Sequence, residues 1–129
     1  MKQLTAEWVA KAQGDFRTAQ RELAAPDEPN LDAACFHAHQ CVEKYLKAVM
    51  VENSITFPKT HDLSALLGML LPRYPSWVEF QQLCDILTDS AVEVRYPGFS
   101  AGEEDARAAL ETAERVRHAA REALELDAR

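Results

Sequence analysis

The sequence predicts an all-α protein, an up-and-down antiparallel bundle of four long helices with one short additional helix. Two observations support this fold class. Apolar residues recur at spacings of three and four along most of the chain, and no segment shows sustained period-two alternation with β-branched enrichment. Prolines and other turn-forming residues separate these periodic segments by short connections, which favours antiparallel neighbours.

The first two predicted helices are long. One runs from residue 5 to about residue 23 with Thr5 as its N-cap, and a segment with two prolines, residues 24–30, ends it. The other runs from about residue 31 to residue 53. Its apolar positions follow helical spacing, and Gln40, Lys44 and Lys47 occupy the opposite face.

The third predicted helix is short and covers approximately residues 61–71. The residue before Pro58 is held extended, so Thr60 can cap the helix with Asp62 in its first turn. Two prolines, Pro72 and Pro75, then end it. We expect this helix to lie beside the four-helix bundle.

The last two predicted helices each follow a capping-box pattern. Ser76 with Glu79 starts the fourth helix, which continues to the stretch "VEVRYPG". Ser100 with Glu103 starts the fifth, which carries an apolar stripe to about residue 124.

Size and composition restrict the protein class. The 129 residues correspond to one domain, residues 1–129, and the 47% hydrophobic content suffices for one core. Three cysteines and an N-terminus without a leader-like apolar core predict a cytosolic protein with reduced thiols. No run approaches the roughly 20 apolar residues of a membrane span. The net charge of −7 argues against DNA binding, or any nucleic-acid binding through phosphate neutralisation alone.

The stretch "CFHAHQC", residues 35–41, has the residue types of a metal site. On a helix, however, Cys35 and His39 fall on one edge and His37 and Cys41 on the other, so the four side chains do not converge on one ion. We therefore predict no metal site. A thiol activated by the neighbouring imidazole is the alternative for Cys41 and His37, but that spacing arises easily by chance.

Two polar groupings are better candidates for function. Gln40, Lys44 and Lys47 lie along one helical face, and Arg95 with Tyr96 closes the fourth helix. Cationic side chains bind phosphate, and a tyrosine ring stacks on a base. The structural alternatives are a solvated helix face for the first group and a helix stop with a packed ring for the second.

Residues 34–67 and 87–98 resemble the HEPN domain, a family of nucleotide-binding domains. The resemblance is carried by "FHAHQCVEKYLKA" at residues 36–48, "THDL" at 60–63 and "RYP" at 95–97, in order and in helical context. It covers nearly the whole chain and implies a bundle of about five helices that commonly dimerises. In prokaryotes, such proteins are often encoded beside a minimal nucleotidyltransferase as a toxin–antitoxin-like pair.

Many HEPN relatives are metal-independent ribonucleases that use an arginine and a histidine separated by four to six residues. No arginine stands at that spacing before His37, His39, His61 or His118. The resemblance therefore implies a non-catalytic member, without cofactor, that binds a nucleotide or RNA, or a nucleotidyltransferase partner, as a homodimer. Its predicted contact residues are Gln40, Lys44, Lys47, His61, Arg95 and Tyr96. The alternatives are a ribonuclease toxin with a displaced site built from Arg95, Tyr96 and a histidine such as His61, and a purely structural dimerisation module.

Overall fold

The computed structural model describes residues 1–128, and all regular structure within them is helical. The helices are α1 (Gln3–Ala24), α2 (Leu31–Glu52), α3 (Leu63–Leu70), α4 (Gln81–Glu93) and α5 (Glu103–Ala123). A 3₁₀ segment, Pro75–Phe80, leads directly into α4. The all-α fold class is confirmed.

Helix α2 forms the centre of the bundle. It packs against α1 along most of its length and also contacts α5, α3 and α4. Its buried residues include Tyr45, Leu46 and Met50, which are fully inaccessible. Because α2 is covered on several sides, its remaining polar face has a fixed orientation, and any site on that face is held by the core. Among residues 1–128, no helix is both long and apolar enough to cross a membrane.

The predicted caps of the first and third helices are wrong by a few residues. Helix α1 begins after Lys2, and Thr5 instead lies buried in its first turns and donates its hydroxyl to Glu52 Oε1 at 2.9 Å. Asp62, not Thr60, caps α3, because its carboxylate accepts the backbone N–H groups at the start of that helix. The Thr60 hydroxyl lies further from the helix and accepts the Asp62 N–H.

The fourth predicted helix is divided into two parts. Residues 75–80 form a 3₁₀ segment, and the α-helix begins only at Gln81, without a Ser76–Glu79 capping box. In a 3₁₀ helix, side chains three residues apart eclipse one another. This geometry allows Trp77 and Phe80 both to face the core, where both are buried.

The capping interaction of the fifth helix lies two residues after the predicted one. Gly102 is the N-cap, and Asp105 Oδ2 accepts the Gly102 N–H at 2.9 Å. Glu103, predicted to close the box with Ser100, instead forms an exposed ion pair with Arg107. The acidic first turn suits the positive end of the helix dipole whichever of its residues serves as the cap.

Candidate functional site

Two carboxylates on and beside α2 each hold one lysine and one histidine. We call them the Glu43 cluster (Glu43, Lys47 and His61) and the Asp15 cluster (Asp15, His37 and Lys44). In each, the carboxylate lies largely within the protein. Their arrangement determines which cations remain available to a ligand.

The Glu43 cluster joins α2 to the start of α3. Glu43 Oε1 accepts a hydrogen bond from His61 Nδ1 at 2.8 Å, and Glu43 Oε2 accepts one from Lys47 Nζ at 3.0 Å. The Glu43 side chain is only 5% exposed, whereas that of His61 is 72% exposed. Since a carboxylate only accepts, His61 Nδ1 carries a proton, and Nε2 is directed away from Glu43.

Aromatic rings complete the surroundings of Lys47. Its ammonium lies 5.5 Å from the ring centre of Trp8 and 5.6 Å from that of Phe57, and the two rings meet edge to face. The Lys47 side chain is 9% exposed. Its charge is thus satisfied by Glu43 and by two π faces, and Lys47 is not a residue of a solvated helix face.

A second histidine positions the chain segment that carries His61. His39 is 4% exposed, and its Nε2 donates to the backbone oxygen of His61 at 2.9 Å. His39 Nδ1 lies 3.3 Å from Gln40 Oε1. Burial lowers the pKa of His39 below its usual value, which favours the neutral form of the ring. His39 therefore holds the backbone at residue 61 while Glu43 holds the side chain.

The Asp15 cluster joins α1 to α2. Asp15 Oδ2 accepts a hydrogen bond from Lys44 Nζ at 2.7 Å, and Asp15 Oδ1 accepts one from His37 Nδ1 at 2.8 Å. The predicted contact residue Lys44 is therefore already paired within the chain. Its partner Asp15 comes from the first helix and was not predicted to contribute to the site.

Arg95 differs from both lysines in its environment. Its guanidinium lies 5.3 Å from the ring centre of Phe36, and within residues 1–128 it has no carboxylate at ion-pair distance. Tyr96, the next residue, is 59% exposed. The predicted helix stop is present, since α4 ends at Glu93, but the Tyr96 ring is not packed into the core.

Most of the predicted site residues border one face of α2. Phe36, Gln40, Glu43 and Lys47 fall within about 60° of one another around the helix axis. Arg95 lies over Phe36, and His61 lies beside Glu43. Seven residues of α-helix place those two positions about 10 Å apart. We call this surface the α2 face; it has Arg95 and Tyr96 at one end and His61 towards the other.

The histidines and cysteines of "CFHAHQC" do not form a common site. His37 faces Asp15, His39 faces the backbone of residue 61, and Cys35 and Cys41 are buried. Burial raises the pKa of the Cys41 thiol well above its usual value. A thiol that is buried and protonated is a poor nucleophile. No grouping of three or more potential metal ligands occurs in residues 1–128.

Sequence reasoning missed several residues of the site. The pairing of Glu43 with Lys47 was visible from their spacing, but the bond from Glu43 to His61 depends on how α3 packs against α2. Trp8 and Phe57 lie 39 and 10 residues from Lys47 in the sequence, and no local signal connects them with it. Their contribution comes only from tertiary contacts.

Comparison with known proteins agrees with this architecture. The family model described as "HEPN domain" matches residues 5–123. Among solved structures, the crystal structure of TT1696 from Thermus thermophilus aligns with a TM-score of 0.75 and 24% identity. The alignment covers 92% of this chain and 97% of that one, and it shows a shared fold. No curated protein matches the sequence. With a helical bundle in place and a family match over nearly its whole length, the chain belongs to the HEPN domain family.

Proposed function

We propose that this HEPN-domain protein binds a nucleotide on the α2 face. Arg95 supplies the phosphate contact, His61 a second polar contact, and Tyr96 a ring for the base. The proposal rests on which cationic side chains are already paired with carboxylates. Lys44 and Lys47 each form an ion pair within the chain, whereas Arg95 has no carboxylate partner within residues 1–128. An arginine beside an exposed tyrosine suits a ligand with both phosphate and base.

The other predicted contact residues have supporting roles in this proposal. Gln40 lies between Arg95 and His61 along α2, where its amide can bond to a bound ligand. Lys47 and Lys44 fix the positions of Glu43 and of α1 through their ion pairs. We therefore expect their loss to affect ligand binding through stability.

Titration with ATP, GTP and their diphosphates, monitored by thermal shift and calorimetry, tests this function. Arg95→Ala removes charged hydrogen bonds worth about 1.5–3 kcal/mol. Affinity should therefore fall roughly 10- to 100-fold. Arg107→Ala is the matched control, because Arg107 is an exposed arginine whose partner, Glu103, lies one turn away. If no nucleotide stabilises the protein, with or without a partner protein, the nucleotide-binding proposal is wrong.

We further propose that the protein is a homodimer and the partner of a minimal nucleotidyltransferase in a toxin–antitoxin-like pair. Family membership supports this role, and so do three exposed apolar side chains in and after the last turn of α4: Val92, Tyr96 and Phe99. Co-expression with the neighbouring reading frame, followed by light scattering, should give a complex that contains two copies of this chain. A monomer that captures no nucleotidyltransferase would contradict the proposal. A homodimer that captures none, with no effect of Arg95→Ala on any ligand, would favour the structural dimerisation module.

A ribonuclease with a displaced site is the second candidate, and the geometry of His61 supports it. A buried carboxylate on Nδ1 leaves Nε2 facing solvent, which is the arrangement of an imidazole that accepts a proton. Arg95 would then stabilise the charged phosphorus centre. Incubation with total RNA distinguishes the candidates: cleavage that His61→Ala abolishes supports the nuclease, and intact RNA after prolonged incubation excludes it.

A further inference from the structure

Residues 125–128 fold back along the end of α5, and we call them the strap. Glu125 adopts a left-handed conformation with φ 57°, and the Leu126 N–H then bonds to the Arg121 backbone oxygen at 2.8 Å. Leu126 packs partly buried against the core. The turn thereby places the Asp127 and Ala128 carbonyl groups over the last turns of the helix.

Two arginines beneath the strap donate to it. Arg117 Nη1 bonds to the Ala128 backbone oxygen at 3.1 Å. Arg121 donates from Nε to the Asp127 backbone oxygen and from Nη2 to the Asp127 carboxylate, the latter at 3.1 Å. Four residues apart on one helix, the two cations occupy neighbouring turns of the same face.

Neutral groups form the floor beneath these guanidinium groups. Tyr45, fully buried, donates its hydroxyl to Gln13 Oε1 at 2.7 Å and accepts from Arg121 Nη1 at 3.2 Å. Arg117 Nε also donates to Gln13 Oε1, and its guanidinium lies 4.8 Å from the ring centre of Phe16. Arg117 is 7% exposed, yet its hydrogen bonds to Gln13 and Ala128 are made to uncharged acceptors.

We propose that Arg117 and Arg121, with Tyr45 and Gln13, form a second anion site, which the strap occupies in this structure and which a phosphoryl group or similar compact oxyanion takes when the strap lifts. A phosphate presents charged oxygens where the strap presents two backbone carbonyls and one carboxylate. Hydrogen bonds to charged acceptors are roughly twice as strong as those to neutral ones. The Asp127 side chain is 64% exposed, so its ion pair with Arg121 is a weak competitor.

This site is separate from the α2 face. Tyr45 is nine residues from Phe36 on α2, which places it on the opposite side of the helix. The inference does not depend on nucleotide binding at Arg95. An Arg95→Ala variant should leave it intact.

Titration with inorganic phosphate tests the site, with sodium chloride adjusted to hold ionic strength constant and binding followed by NMR at the arginine Nε–H groups. Asp127→Asn weakens the strap and should tighten phosphate binding about two- to fivefold relative to the unmodified chain. Glu104→Gln removes the same charge from an exposed residue at the other end of α5 and should leave affinity unchanged. Arg121→Gln in the Asp127→Asn background should weaken binding about tenfold or more.

Two outcomes overturn the inference. One is the absence of saturable phosphate binding in both the unmodified chain and Asp127→Asn; the other is equal affinity with and without Arg121. If Arg121→Gln fails to fold by circular dichroism, Arg121→Lys retains the charge but loses the planar fork, and it should still weaken binding. A parallel titration with adenosine 5′-monophosphate separates the two sources of the oxyanion. Tighter binding of inorganic phosphate identifies free phosphate as the ligand, and tighter binding of the nucleotide identifies a phosphomonoester.

Discussion

Removing the carboxylate of Glu43 should destabilise the fold far more than removing that of an exposed helical glutamate. Glu43→Ala leaves the Lys47 ammonium, only 9% exposed, without its carboxylate partner. Removing one member of a buried ion pair costs about 3–5 kcal/mol, and the rings of Trp8 and Phe57 remain to favour the low end of this range. A domain of this kind is stable by about 5–15 kcal/mol, so the loss is a substantial fraction of the total.

Urea denaturation followed by circular dichroism measures this loss. With a slope of about 2 kcal/mol per molar urea, a loss of about 3 kcal/mol lowers the midpoint by about 1.5 M. Glu103→Ala is the control, because Glu103 and Arg107 have the same four-residue spacing but are well exposed, and their pair is worth about 0.5 kcal/mol or less. Replacing both partners, as in Glu43→Leu with Lys47→Met, should recover most of the stability.

His61 separates the structural role of this cluster from its functional one. The His61 side chain is 72% exposed, so His61→Ala should cost no more than about 1 kcal/mol. The reasoning is refuted if Glu43→Ala costs no more than Glu103→Ala, or if His61→Ala costs as much as Glu43→Ala. In the first case Glu43 is not an effectively buried charge. In the second, the imidazole is a structural support and not the exposed end of a ligand site.

Three further predictions concern other buried groups. The thiols should resist iodoacetamide at about pH 8 in the native protein and react in urea, because burial raises the pKa of Cys35 to about 11 and that of Cys84 to about 12. Rapid alkylation of the native protein, detected by mass spectrometry, would contradict this. His39 has a lowered pKa in the folded protein, so the unfolded chain takes up its proton first, and stability should decrease as pH falls below 6.5; His39→Gln should flatten that decrease in urea titrations. Asp15→Asn removes the charge that Lys44 and His37 share, and should cost about 1–3 kcal/mol; an unchanged urea midpoint would show that these bonds are not stabilising.

The helices were predictable because their apolar spacing is a local property, whereas the caps were not. Asp62 and Thr60 are both good capping residues, and only the path of the chain after Pro58 decides which of them caps α3. Thr5 has the chemistry of an N-cap, but the packing of α1 against the end of α2 directs its hydroxyl to Glu52. The choice between such candidates depends on tertiary contacts that no short stretch of sequence contains.

The site was predictable in part for the same reason. Reading α2 as a helix correctly brings Gln40, Lys44 and Lys47 to neighbouring positions, but it says nothing about their partners. Asp15 approaches Lys44 from α1, 29 residues away in sequence, and His61 approaches Glu43 from the loop before α3. These contacts turn a row of cations into two neutralised clusters.

The lysines of the "VEKYLKA" run and Arg95 can therefore be distinguished by experiment, although sequence alone suggests the same role for both. If Lys44 contacts phosphate, Lys44→Met lowers nucleotide affinity as much as Arg95→Ala does. If Lys44 instead neutralises Asp15, as its 2.7 Å bond indicates, Lys44→Met combined with Asp15→Leu retains both fold and affinity, because no unpaired charge is left behind. Calorimetric titration of that double variant against Arg95→Ala decides between the two roles. Retained affinity in the double variant, with loss in Arg95→Ala, assigns the ligand contact to the end of α4 and leaves the lysines of α2 to the stability of the fold.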